Sequence, residues 1–207
     1  MTHTILISDS ICSGTPSSIS VDTKRIAYQL TTISGNYCYD MSNAGAMVIR
    51  RSGFPKTPLS GGLQDKFMAV KDTIATSVIV WLGANDLFNG ATIPNVIKKI
   101  EWFADKVMKE TALPKTVVLV GHISCTDELT DRAYIQAYNT ALQALVTKLH
   151  NMYTQSKYTG DCKYLDGYAV APCTTPNTMA DGVHRNDAGM DLIATDLRAQ
   201  LISLGVF

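Results

Sequence analysis

The chain has 207 residues, 46% of them hydrophobic and 17% charged, with 18 basic side chains balancing 18 acidic ones. That balance excludes the basic footprint of a nucleic-acid or polybasic membrane surface, and no run approaches the ~18 apolar residues of a membrane span. The length suits one domain, residues 1–207, better than two, since single domains usually run to about 100–200 residues.

Five short apolar runs follow one another with helix-like segments between them. The first is Thr4–Ser8 in "TILISDSIC", followed by a helical pattern at Asp22–Ile33 and a second run at Tyr37–Met41. A helix at Leu63–Ile74 leads to "SVIVWLG", with a strand at Ser77–Leu82. The segment "IPNVIKKIEWFADKVMKE" then sets Val96, Ile97, Ile100, Phe103, Ala104 and Val107 on one face, predicting a helix over Ile93–Thr111. "TVVLVGHIS" gives a strand at Thr116–Gly121, then come a helix at Asp131–Tyr153, a strand at Cys162–Tyr168, and a last helix at Asp187–Leu204 with Asn186 as its N-cap. The nearly continuous Val, Ile and Leu of the middle strands suits a sheet covered on both faces. Strand alternating with helix five times predicts an α/β fold, a three-layer α/β/α sandwich on a five-stranded parallel sheet. The pieces "SGTPSSIS" and "RRSGFPKTPLSGG" read as loops.

Ligands of open parallel sheets lie beyond the carboxyl ends of the strands. At those ends stand Ser8, Asp9 and Ser10; then Ser42, Asn43, Ala44 and Gly45; then Gly83, Ala84, Asn85 and Asp86; then His122 and Ser124; and finally Asp181 and His184 in "APCTTPNTMADGVHRND". This is a parts list for serine-based acyl transfer. A serine hydroxyl needs a histidine to take its proton, the imidazole needs a carboxylate to fix its tautomer, and the tetrahedral oxyanion needs preorganised donors. Ser10, His184 and Asp181 can fill the first three roles; the backbone N–H groups of Ser10 and Gly45 and the amide of Asn85 can fill the last. Each piece alone reads as an ordinary turn residue. Their joint occurrence at successive strand ends is what independent turns do not produce.

The ordered set "SDSIC", Gly45 in "DMSNAGAM", "GAND" and "DGVH" resembles the SGNH hydrolases, or GDSL-type esterases and lipases, over almost the whole chain. The resemblance implies a flavodoxin-like fold, Ser10 as nucleophile, Asp181 and His184 as the carboxylate and base of the D-x-x-H motif, and an oxyanion hole of Ser10, Gly45 and Asn85. It departs from the family at Ser8, where a glycine is usual, and at Asp40, where an asparagine is usual five residues before the oxyanion glycine. No G-x-S-x-G elbow is present, which argues against the ordinary α/β-hydrolase fold.

The other candidates read as structural. Asp9 is expected to bond the turn backbone without a catalytic role, and His122 to be structural at the fourth strand end. His3 precedes the first strand and His150 faces solvent, while Trp81 and Trp102 pack in or beside the core. Cys12, Cys38, Cys125, Cys162 and Cys173 have no C-x-x-C spacing and read as thiols of a reducing compartment, with Cys12 packed under the first helix. No metal or cofactor is expected. The implied function is hydrolysis of small short-acyl esters, first of all O-acetyl groups on a carbohydrate. The alternatives are a lysophospholipase or thioesterase, or an inactive carbohydrate-binding module on an esterase fold. The substrate would be a small-molecule ester or an acetylated saccharide, with neither nucleic acid nor membrane as partner. With no signal-peptide pattern at Met1–Thr4, the expected location is the cytoplasm, or a larger surface or virion assembly.

Overall fold

The computed structural model describes residues 3–13, 25–49, 62–111, 113, 115–122, 132–154, 160–167, 170, 180 and 184–207. Strands β1 (His3–Ser8), β2 (Tyr37–Asp40), β3 (Ser77–Trp81), β4 (Thr116–Val120) and β5 (Asp161–Leu165) alternate with helices in the chain. The helices are α1 (Ile26–Ser34), α2 (Leu63–Lys71), α3 (Ala84–Phe88), α4 (Ile93–Glu110), α5 (Arg132–Thr154) and α6 (Asp187–Ser203). Every strand pair is parallel and the order is β2-β1-β3-β4-β5. The direction of winding reverses between β1 and β3, which opens a crevice at their carboxyl ends.

Alternate residues of the central strands enter opposite cores, as side chains of successive strand positions must. Ile5, Ile7, Val78, Val80, Val117 and Leu119 pack with α2, α4 and α5; Leu6, Ile79, Trp81, Val118 and Val120 pack with α1 and α6. Both faces are therefore covered, and the unbroken apolar runs are the sequence image of that burial. Helix α4 buries Val96, Ile100, Phe103, Ala104 and Val107, the stripe expected from its periodicity. At the start of α6, Asn186 Oδ1 accepts the Gly189 N–H at 3.0 Å, the N-cap expected from its sequence.

The differences from expectation are local. His3 opens β1 instead of preceding it. Strand β5 stops at Leu165, and just beyond it Gly167 packs against Gly121 so closely that a Cβ there would lie 1.9 Å from the Gly121 carbonyl oxygen. "GAND" forms a short helix, α3, where the sequence reads as a turn. Residues 22–24 of the first expected helix, and nearly all of the two Pro/Ser/Gly-rich loops, lie outside the described residues.

Candidate active site

The β1 strand leads into the turn that carries Ser10, the nucleophile expected from the sequence. Ser8 is its last residue, in register with Trp81 and fully buried, so the position where the family carries glycine is accommodated within the strand and the chain turns from Asp9 onward. Asp9 closes that turn: its Oδ1 accepts the Ile11 N–H at 3.0 Å and its carbonyl accepts the Ser13 N–H at 3.1 Å. Ser10 stands half-buried at the head of the turn, and its Oγ lies 3.1 Å from Nε2 of His184. Two residues 174 apart in sequence thus meet within hydrogen-bonding distance. With the proton on Nδ1, Nε2 accepts the Ser10 hydroxyl hydrogen. Asp181 lies outside the described residues.

The loop after β2 carries Gly45. The Ala46 N–H donates to Asn43 O at 3.0 Å, which closes a turn with Gly45 in its third position at φ +73°. A side chain is disfavoured there by the backbone alone. Asp40, the second departure from the family, holds the start of the loop: Oδ1 accepts the Ser42 N–H at 2.7 Å and Oδ2 pairs with Arg25 Nε. Arg25 also donates to Ser42 O at 2.8 Å, and the buried Lys66 donates from Nζ to Met41 O at 3.2 Å. Burial lowers the Lys66 ammonium to about 8, against the opposing pull of Asp40 and Asp65.

The β3 strand supplies the third group. Gly83 has φ +124°, and a Cβ there would lie 2.4 Å from the hydroxyl of Tyr138, which donates to Leu82 O at 2.7 Å. Through this opening α3 starts, and its Asn85 turns Nδ2 toward Asp9 Oδ2 (3.3 Å) and Ala46 O (3.1 Å). The structure therefore brings Asn85 against both the turn that carries Ser10 and the residue next to Gly45. Asp86, one residue on, is buried and accepts the Val48 and Ile49 N–H groups at 2.7 Å each.

Two buried carboxylates thus lie in these turns, Asp9 next to Ser10 in the chain and Asp86 next to Asn85. Burial pushes Asp9 up to about 6, partly offset by the Ile11 N–H and by the nearby His184. Asp86 is pushed to about 6 by the same cause, against its N–H donors at Ile49 and Val48. Asp9 bonds the turn backbone as the sequence reading expects, whereas Asp86 carries no role in that reading; the signal available for it was its place directly after Asn85. His122 is buried at the end of β4, its ring edge-on to Phe88 at 6.5 Å and its N–H donating to Asn139 Oδ1 at 2.7 Å. His150 is on the surface beside Asp161. Trp81 is buried, and Trp102 meets Phe67 edge-on at the margin of the core. Cys12, Cys38 and Cys162 are buried free thiols, with Cys12 in the cluster that contains Ile26, Ala27 and Leu30 of α1; Cys125, Cys173 and Ser124 lie outside the described residues. Among the described residues no three His, Cys, Asp or Glu side chains converge as a metal site, and no helix is long and apolar enough to cross a membrane.

No family model and no curated protein sequence matches the chain. Solved structures do. A carbohydrate acetylesterase family member from Sinorhizobium meliloti superimposes with a TM-score of 0.73 at 18% identity, covering 99% of this chain and 100% of that one. A salicylyl-acyltransferase from a tetracycline biosynthetic pathway gives 0.76 at 18% identity over 100% of this chain. A Bacteroides ovatus protein assigned as a GDSL-like lipase gives 0.73 at 13% identity over 99%. The chain spans 55% of the acyltransferase and 53% of the lipase. At such identities the likeness is one of fold. The chain has the SGNH, or GDSL-type, hydrolase fold, with its five-stranded parallel sheet between helical layers.

Proposed function

We propose that the chain is a serine ester hydrolase that works through an acyl-enzyme and removes O-acetyl groups from a carbohydrate. The observation that carries the reading is the 3.1 Å approach of His184 Nε2 to Ser10 Oγ at the carboxyl end of the sheet, beside Asn85. Ser10 attacks the ester carbonyl as its proton passes to His184, whose imidazolium is held by Asp181. The oxyanion is received by the N–H groups of Ser10 and Gly45 and by Asn85 Nδ2. Collapse expels the alcohol with the proton from His184; water then loses a proton to His184, attacks the acyl-enzyme, and releases acetate and Ser10.

In the resting geometry both hydrogens of Asn85 Nδ2 are engaged, one by Asp9 and one by Ala46. The bond to Asp9 is the one the oxyanion takes over. The likeness to a carbohydrate acetylesterase supports the acetyl ester and the saccharide.

The test is hydrolysis of p-nitrophenyl acetate and decanoate, and acetate release from acetylated xylo-oligosaccharide, by the parent and Ser10→Ala. Intact-mass detection of a fluorophosphonate adduct accompanies both. The expected result is acetate hydrolysis and an adduct in the parent, each lost in Ser10→Ala by several orders of magnitude. A parent without adduct or turnover that still binds the oligosaccharide overturns the hydrolase in favour of a binding module. Preference for the decanoate ester turns the substrate class toward lipids.

A further inference from the structure

The two oxyanion donors outside the nucleophile turn come from different strands. Gly45 follows β2 and Asn85 follows β3, with β1 between them in the sheet, so no strand ladder joins the two. The join is made by side chains of α3. Asp86 Oδ2 accepts the Val48 N–H and Oδ1 the Ile49 N–H, both at 2.7 Å, while Asn85 Nδ2 donates to Ala46 O at 3.1 Å. Three hydrogen bonds from two consecutive residues therefore fall on the four residues that follow Gly45.

The chemistry of the join is specific to aspartate. Two N–H donors need two acceptor oxygens on one short side chain; asparagine has a single acceptor oxygen and glutamate places the pair one methylene farther out. Charge-assisted bonds of this length are roughly twice as strong as neutral ones. The end of the turn nearest the sheet is held as well, by the Tyr138 hydroxyl on Leu82 O, so α3 is a fixed platform for the loop.

We infer that Asp86 is a positioning residue for ester hydrolysis, setting the separation of the Gly45 and Asn85 donors by pinning one loop to the other. The inference rests on the reading of Gly45 and Asn85 as oxyanion donors. A residue acting this way changes the barrier, not the binding of the ground-state ester.

The experiment is a double-mutant cycle on p-nitrophenyl acetate hydrolysis with Asn85→Ala, Asp86→Asn and the double variant, each checked for a cooperative thermal transition. If Asp86→Asn does not fold, Asp86→Glu takes its place in the cycle. Asn85→Ala is expected to lower kcat about 10²–10³-fold, as for one oxyanion donor. The Asp86 variant is expected to lower kcat ~10–100-fold with KM within about threefold, and the double variant to fall less than about threefold below Asn85→Ala, because alignment matters only while both donors are present. A folded Asp86 variant with parental kcat, or losses that simply multiply in the double variant, overturns the positioning role and leaves the oxyanion reading standing. Parental kcat in Asn85→Ala overturns the oxyanion reading itself, and the positioning role with it.

Discussion

Asp9 and Asp86 are ionisable groups placed where water cannot reach them, and the physics of that placement is testable apart from catalysis. Each has a folded-state value of about 6 against 3.8 for a free carboxyl. Between those values the folded protein holds more protons than the unfolded chain, so stability from these groups is greatest below 3.8 and is lost as pH rises through 6. The difference corresponds to roughly 3 kcal/mol for each carboxylate once ionised, less for the second if the two interact, as their mutual repulsion indicates. Thermal melts of the parent are expected to give a higher Tm at pH 5 than at pH 7.5, with the gap reduced in Asp9→Asn. A Tm that falls from pH 7.5 to pH 5 sinks this account of the two carboxylates.

At the scale of elements, the short helix α3 depends on one glycine. Gly83 combines φ +124° with a would-be Cβ at 2.4 Å from the Tyr138 hydroxyl and 2.7 Å from its ring. Alanine there must both adopt a disfavoured backbone and displace a ring whose hydroxyl bonds Leu82 O. Gly83→Ala should destabilise the fold by about 2–4 kcal/mol, the sum of overpacking and left-handed strain, as read by urea denaturation. Gly83→Ala in Tyr138→Phe, which removes the hydroxyl nearest the new methyl, should recover part of that loss; a Gly83→Ala variant as stable as the parent would mean that the turn relaxes freely. The sequence showed "GAND" as the end of a strand, and the strand was legible because Val78, Ile79 and Val80 form an unbroken apolar run. The helix was not, since five residues show no helical period and the glycine that precedes it packs against a tyrosine 55 positions away in α5.

Across the whole molecule, the two cores bury the described thiols. Cys12, Cys38 and Cys162 are each at most 8% exposed, and burial pushes Cys38 and Cys162 to about 12 and Cys12 higher than its ordinary value. Thiolate, the reactive form, is then scarce at neutral pH. In a Cys125→Ser/Cys173→Ser variant, the remaining three cysteines should not react with a colourimetric disulfide reagent until the chain unfolds globally. They would then report global opening as a single phase. Fast reaction of any of the three under native conditions would show a local opening at that strand or turn.

The apolar alternation of strands and helices, and the serine, glycine, asparagine and histidine at successive strand ends, were legible in the sequence. Burial on both sheet faces leaves unbroken Val/Ile/Leu runs, and the turns at the carboxyl edge of the sheet leave polar residues just after them. The tertiary structure decided what depends on contacts between elements: the strand order that puts β1 between β2 and β3, the meeting of Ser10 with His184, and the join between the Gly45 loop and α3 through Asp86. A buried aspartate that accepts two backbone N–H groups looks, in sequence, like any turn aspartate. Its role resides in partners 37 and 38 residues away, which no local pattern encodes.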